Sequence, residues 1–205
     1  MEIVDEILNK VFCIGKASSA DMIFKDMAKK LMGEYVIRRG DVTFRLIDIE
    51  FYYHNEGTCP EFPYRHEDKP TYKRRAKPGE FMAHYSGMDI CFKSDGKTYY
   101  GGVLIRHMVR RDGDGSETLV AGPMDCCFAL LGRPSAESIP VFEPSENHVE
   151  IADDDLGITT RVGINDLKPY HFYLKSENIE SIKRYVPYLD DDSKHKYIKA
   201  WPSNS

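Results

Sequence analysis

The sequence has no apolar run approaching 18 residues, which excludes a helical membrane span. It has no CxxC pair, and its five cysteines (Cys13, Cys59, Cys91, Cys126 and Cys127) are an odd number. Reduced thiols are therefore expected, with Cys126 and Cys127 read as small apolar residues at a helix start rather than as a strained vicinal disulfide. No glycine-rich phosphate loop, nucleotide fingerprint or HExxH sequence occurs, so no cofactor is expected. No lysine stands out as a Schiff-base nucleophile, which disfavours strand-cleaving lyase chemistry. The opening residues, MEIVDEILNK, hold acids and no long apolar stretch, so the reading is of a cytoplasmic protein without a secretory signal. Internal repeats and low-complexity linkers are also missing.

What is present supports a folded core. The 205 residues fit one domain, and 41% hydrophobic, 30% charged and 12% aromatic residues rule out wholesale disorder. Net charge is −5, but it is unevenly spread. Between His66 and Arg111 there are ten Lys/Arg against five acids, so this segment is +5 and the remainder −10. Lys73, Arg74, Arg75 and Lys77 form its densest cluster. A basic face on an acidic body can hold phosphates, and solvated basic loops would give the same count.

Residues 18–32 predict a helix. Ser19 or Asp21 can cap it, Met22, Ile23, Met27 and Leu31 recur at helical spacing, and Gly33 can end it. Tyr35–Arg39, a Gly40-Asp41 turn and Val42–Tyr53 predict a β-hairpin with a long second strand. Four prolines make 54–79 an irregular loop. Phe81–Phe92 and Tyr99–Val109 predict two strands around a Lys93–Lys97 turn, with a short strand at Thr118–Ala121. Pro123 opens a short helix that Gly132 ends. Thr159–Ile164 and His171–Leu174 predict further short strands. The fold class is α+β: a curved, largely antiparallel sheet with a few peripheral helices.

Alternation along the long strand puts Phe44, Leu46, Asp48, Glu50 and Tyr52 on one face, with apolar Ile47, Ile49 and Phe51 opposite. Two acids mid-strand are either a salt-bridged pair on a solvated face or functional groups near the core. In the second case one carboxylate can deprotonate a water while Tyr52 offers a flat surface to a substrate ring. Hydrolysis of a sugar–base bond needs that combination, because positive charge develops on the sugar as the bond breaks.

The motifs resemble the alkyladenine (3-methyladenine) DNA glycosylases over nearly the whole chain. Met27-Ala-Lys-Lys-Leu-Met-Gly-Glu-Tyr-Val-Ile-Arg-Arg is similar to that family's first helix and strand, and Arg45-Leu-Ile-Asp-Ile-Glu-Phe-Tyr to its signature strand. Lys77-Pro-Gly, Gly87-Met88, Gly102-Val-Leu-Ile-Arg, Gly122-Pro123, Arg161-Val-Gly-Ile and Phe172-Tyr-Leu follow in the family's order. The resemblance implies an enzyme that flips a damaged, alkylated or deaminated purine out of double-stranded DNA and hydrolyses its N-glycosidic bond. It would need no metal and no cofactor, and would act as a monomer.

Residue by residue, the resemblance makes Glu50 the base that activates water and pairs it with Arg106, which meets the DNA backbone at the flipped nucleotide. Tyr52, His66 and His84 would contact the base. Lys73, Arg74, Arg75 and Lys77 would hold phosphates. Two positions depart from the family. Ser86 stands where a tyrosine normally wedges into the DNA stack, so either Tyr85 takes that role or wedge insertion is impaired, and Lys93 replaces a pocket-lining asparagine.

Three other readings follow from the same residues: a relative that binds nucleic acid without cutting it, a hydrolase of free nucleosides, and a metal site from His54, Cys59 and His66. The last matches no zinc spacing. His107, His148, His171 and His195 fall in no argument made from the sequence.

Overall fold

A computed structural model describes residues 20–132 and 139–175. Helix α1 (Ala20–Gly33) buries Ile23, Phe24, Met27, Ala28 and Leu31 along one stripe and carries Asp21 in its first turn. Asp21 thus sits inside the helix, and Ser19 lies outside the described residues. The Gly40-Asp41 turn joins β1 (Tyr35–Arg39) to β2 (Val42–Asn55) in the expected hairpin.

Short β3 (Arg75–Ala76) and β6 (Ser94–Asp95) pair only with each other. The span expected as one strand from Phe81 to Phe92 is two, β4 (Phe81–His84) and β5 (Gly87–Cys91), paired across a Tyr85-Ser86 turn. Gly87 makes the turn possible: its φ is +139°, and a Cβ there would lie 2.7 Å from Pro123 Cβ and 2.9 Å from Pro123 O. Gly87→Ala is expected to destabilise the fold by about 1–3 kcal/mol, read as a lower urea midpoint at unchanged slope.

Strand β7 (Tyr99–Arg111) pairs along nearly all of β2, and β8 (Glu117–Ala121) pairs with β7. Helix α2 (Pro123–Leu131) starts with Pro123 in its first turn and ends at Gly132, as its sequence predicts. Strand β9 (Val141–Pro144) pairs with β1. A 3-10 turn at Asp153–Asp155 leads into β10 (Leu156–Thr159), and β11 (His171–Leu174) follows. The strand expected at Thr159–Ile164 is therefore displaced: β10 ends at Thr159, and Arg161 turns inward instead.

All pairings are antiparallel. Across the main sheet the order is β10-β11-β2-β7-β5-β4, with β1, β8 and β9 extending it at the side. Helix α1 packs on β1, β2 and β11, and α2 on β5, β7 and β8. On the α1 side Phe24 stacks on Phe51 at 4.7 Å and meets Tyr170 edge-on. Glu50 and Tyr52, alternating with Phe51, point to the other side.

The centre of β2 departs from regular pairing. Register shifts on either side of the Asp48–His107 pair leave Ile47 unpaired on β2 and Arg106 unpaired on β7. Opposed bulges of this kind re-aim side chains locally. Here they bring Arg106 and His107 onto the carboxylates of β2.

Candidate active site

Strand β2 supplies the centre of the site. Asp48 and Glu50 are both 0% exposed, which disposes of a salt-bridged pair on a solvated face. A buried carboxylate requires partners, and Glu50 has two hydrogen-bond donors and an ion-pair partner. Its Oε1 accepts from the Val162 backbone N–H at 2.8 Å and lies 3.1 Å from Arg106 Nη1. Its Oε2 accepts from the Tyr52 hydroxyl at 2.8 Å. Burial and the Glu50 charge push the Tyr52 phenol up, so Tyr52 stays a donor.

Glu50 and Tyr52 line a cavity of about 490 Å³. Arg106 and Leu104 of β7, His84, Tyr85 and Asp89 of the β4–β5 hairpin, Tyr72 and Val162 complete much of its wall. The Arg161 guanidinium lies 4.6 Å from the centre of the Tyr52 ring. Arg161 is itself anchored by a bidentate pair to Asp68 at 2.8 and 2.9 Å, a bond to Asp166 at 2.5 Å and the Phe51 carbonyl at 3.0 Å. The flat ring thus lies against a buried cation that is itself held by two carboxylates and a carbonyl.

Other residues expected in the site are placed variously. Tyr85 is 81% exposed at the hairpin tip, with its hydroxyl bonded to that of Tyr72. His84 lines the cavity, its Nε2 3.0 Å from Asp89 Oδ1. Lys73, Arg75 and Lys77 are exposed and are not among the residues that line the cavity.

Three expectations are corrected. His66 lies on the α1 side of the sheet, stacked on Tyr53 and edge-on to Phe24, and burial lowers its pKa. Its backbone bridges to Asn55, which fixes it there, and Tyr72 of the same loop reaches the cavity instead. Lys93 is paired with Glu61 and does not line the cavity. Arg74 is buried with Nη1 2.5 Å from Asp89 Oδ2, so it serves a carboxylate and not a phosphate.

The possible metal ligands do not converge either. His54 stacks on Tyr100, Cys59 is buried beside Glu61, and no group of three or more metal-binding side chains forms among the described residues.

The chain is similar to a "Putative 3-methyladenine DNA glycosylase" of Carboxydothermus hydrogenoformans. Identity is 27% over 187 residues, covering 77% of this chain and 93% of that protein. No protein-family profile matches the chain. No helix among the described residues is long and apolar enough to cross a membrane.

Several members of the site escape sequence reasoning. Asp48 is bonded by two histidines, His107 and His171, each at 2.5 Å. His107 immediately follows Arg106, so its place beside the site was there to be read once β2 and β7 were paired. His171 required the position of β11. Asp89 gave no signal beyond being a charged residue in a largely apolar stretch, and Arg161 figured only within the Arg161-Val-Gly-Ile motif, with no role attached.

Proposed function

We propose that this protein is a DNA glycosylase that turns a damaged purine out of duplex DNA and hydrolyses its N-glycosidic bond with a water activated by Glu50. The observation that carries this reading is the Glu50 carboxylate at the wall of a cavity it shares with Tyr52 and Arg106. A cavity of about 490 Å³ accommodates a flat heterocycle. The low-identity relative described as a glycosylase supports the same reading.

A carboxylate offers about four acceptor positions, so two hydrogen bonds and the Arg106 ion pair leave room for a water. The water's oxygen bonds to the anomeric carbon as the bond to the purine nitrogen breaks. The electron pair leaves with the base, and the water's proton passes to Glu50. Until then the Glu50 charge stabilises the positive charge growing on the sugar. Arg106 pairs with that carboxylate, and Tyr52 stacks on the base. Extrusion costs a few kcal/mol and least for poorly paired lesions, which builds in selectivity before chemistry begins.

The decisive experiment incubates the full chain with duplexes carrying hypoxanthine, ethenoadenine or a methylated purine and assays for free base. Release from at least one duplex, weakening as salt rises, is expected. Binding to abasic-analogue DNA without release from any lesion would make the protein a binder. Salt-insensitive cleavage of free nucleosides would make it a nucleoside hydrolase.

The exposed Tyr85 is proposed as the wedge that fills the vacated place in the stack. Tyr85→Ala is expected to weaken binding to abasic-analogue duplex about tenfold, from about 1–3 kcal/mol of lost stacking, with the thermal midpoint unchanged. Fluorescence anisotropy and a melting curve check the two halves of that statement. Unaltered affinity would remove Tyr85 from the interface.

A further inference from the structure

The proposed chemistry leaves one buried group of titratable side chains unused. His171 Nε2 lies 2.5 Å from Asp48 Oδ1, and His107 Nδ1 lies 2.5 Å from Asp48 Oδ2. None of the three is more than 1% exposed. The other nitrogen of His171, Nδ1, is 3.9 Å from Glu50 Oε1. Arg106 spans the two carboxylates, with Nη1 3.1 Å from Glu50 Oε1 and Nε 3.9 Å from Asp48 Oδ2. The contacts run His107–Asp48–His171–Glu50, with Arg106 across the middle.

We propose that His171 is a positioning residue whose imidazolium, fixed by Asp48, keeps Glu50 ionised and so sets the lower pH limit of base release. This rests on the reading of Glu50 as the group that activates water. With His171 protonated, the Asp48 and Glu50 carboxylates lie between its imidazolium and the Arg106 guanidinium. Loss of the His171 proton takes one of those two cations away from buried carboxylates, which a protein interior resists.

The groups facing His171 are consistent with that role. From β2 they are Asp48 and Glu50; from β7, Arg106 and His107; on its own strand, Tyr173 at 5.9 Å between ring centres; and on β10, uncharged Thr159 opposite. Burial alone would lower the His171 pKa, but the charge of Asp48 and its bond, followed by Glu50, outweigh burial and raise it, with Arg106 opposing. Burial likewise would raise Asp48, and the imidazoles of His171 and His107 hold it well below the usual carboxylate range. Cys126 of α2 feels the same carboxylate: burial first, then Asp48, push its thiol well up, so it stays neutral and does not compete as a charge.

His171→Asn retains a donor for Asp48 and removes the titratable charge. Single-turnover base release is measured from pH ~4 to pH ~8 and is expected to fall about tenfold on its acidic side in this variant. Its acidic limb should move up by about one pH unit, because Glu50 has lost a cationic neighbour. Duplex affinity should stay within about twofold of wild type. A merely structural role would lower stability and leave the acidic limb in place.

A second measurement needs neither the variant to fold nor the substrate to be known. Nitrogen-15 NMR titration of the imidazoles in the wild-type chain should show His171 still protonated above pH ~6.5, the ordinary imidazole value, and titrating at lower pH in Glu50→Gln. A His171 that is neutral at that pH, or an Asn variant with the wild-type acidic limb, overturns the inference. Absence of base release from every duplex alongside a protonated His171 would overturn the glycosylase reading while leaving the His171–Asp48 pair intact.

Discussion

Glu50→Gln is expected to lower base release at least a thousandfold while duplex binding stays within about threefold of wild type. The substitution changes shape very little. Arg106, the Val162 N–H and the Tyr52 hydroxyl can still reach an amide oxygen or nitrogen, so the cavity wall stays in place. What disappears is the proton acceptor and the negative charge. General-base catalysis contributes about 10²–10⁴ in rate, and stabilisation of a developing cation adds to it. Binding is proposed to draw on exposed Lys73, Arg75 and Lys77 and on Tyr85, none of which touches Glu50. Single-turnover release and anisotropy on one duplex give both numbers. A variant within tenfold of wild type in release would end the role of Glu50 as the base.

Arg161→Met is expected to cost about 3–5 kcal/mol of stability, the largest structural effect of any substitution considered. Arg161 is 2% exposed and gives two hydrogen bonds to Asp68, which is 1% exposed. Burial would raise the Asp68 carboxyl, and Arg161 brings it below its ordinary value. Without the guanidinium, Asp68 keeps the Tyr53 N–H at 3.1 Å, the Thr71 hydroxyl at 2.8 Å and Lys168, too little to compensate a buried charge. Urea denaturation measures the loss. The double variant Arg161→Met/Asp68→Leu should recover most of it, because removing both charges removes the unpaired one. Catalysis should suffer in both variants, since the Val162 N–H that steadies Glu50 is the next residue along the chain.

The parts of this fold legible in the sequence were those carried by local period and punctuation. Helix α1 and the β1–β2 hairpin follow from helical spacing up to Gly33 and from a Gly-Asp turn between alternating strands. The split of Phe81–Phe92 was hidden because the residues on both sides of Tyr85-Ser86 read as strand; only the positive φ of Gly87 marks the turn. Thr159–Ile164 looked extended, yet a single long-range ion pair draws Arg161 out of strand geometry. Within the site, Glu50, Tyr52 and Arg106 come from the two long central strands, whose pairing a sequence constrains well. His66 and Lys93 come from loops, where a shift of a few residues carries a side chain to the opposite side of the sheet.

The opposed bulges at Ile47 and Arg106 have an architectural consequence. Leu46 faces Met108 before them and Ile49 faces Ile105 after them, so three steps along one strand match three along its partner. Each extra residue cancels the other, and the deformation goes no further than the charged cluster it serves. Removing Ile47 alone would break that cancellation and slide one half of the longest ladder past the other by a single position, exchanging inward for outward side chains along it.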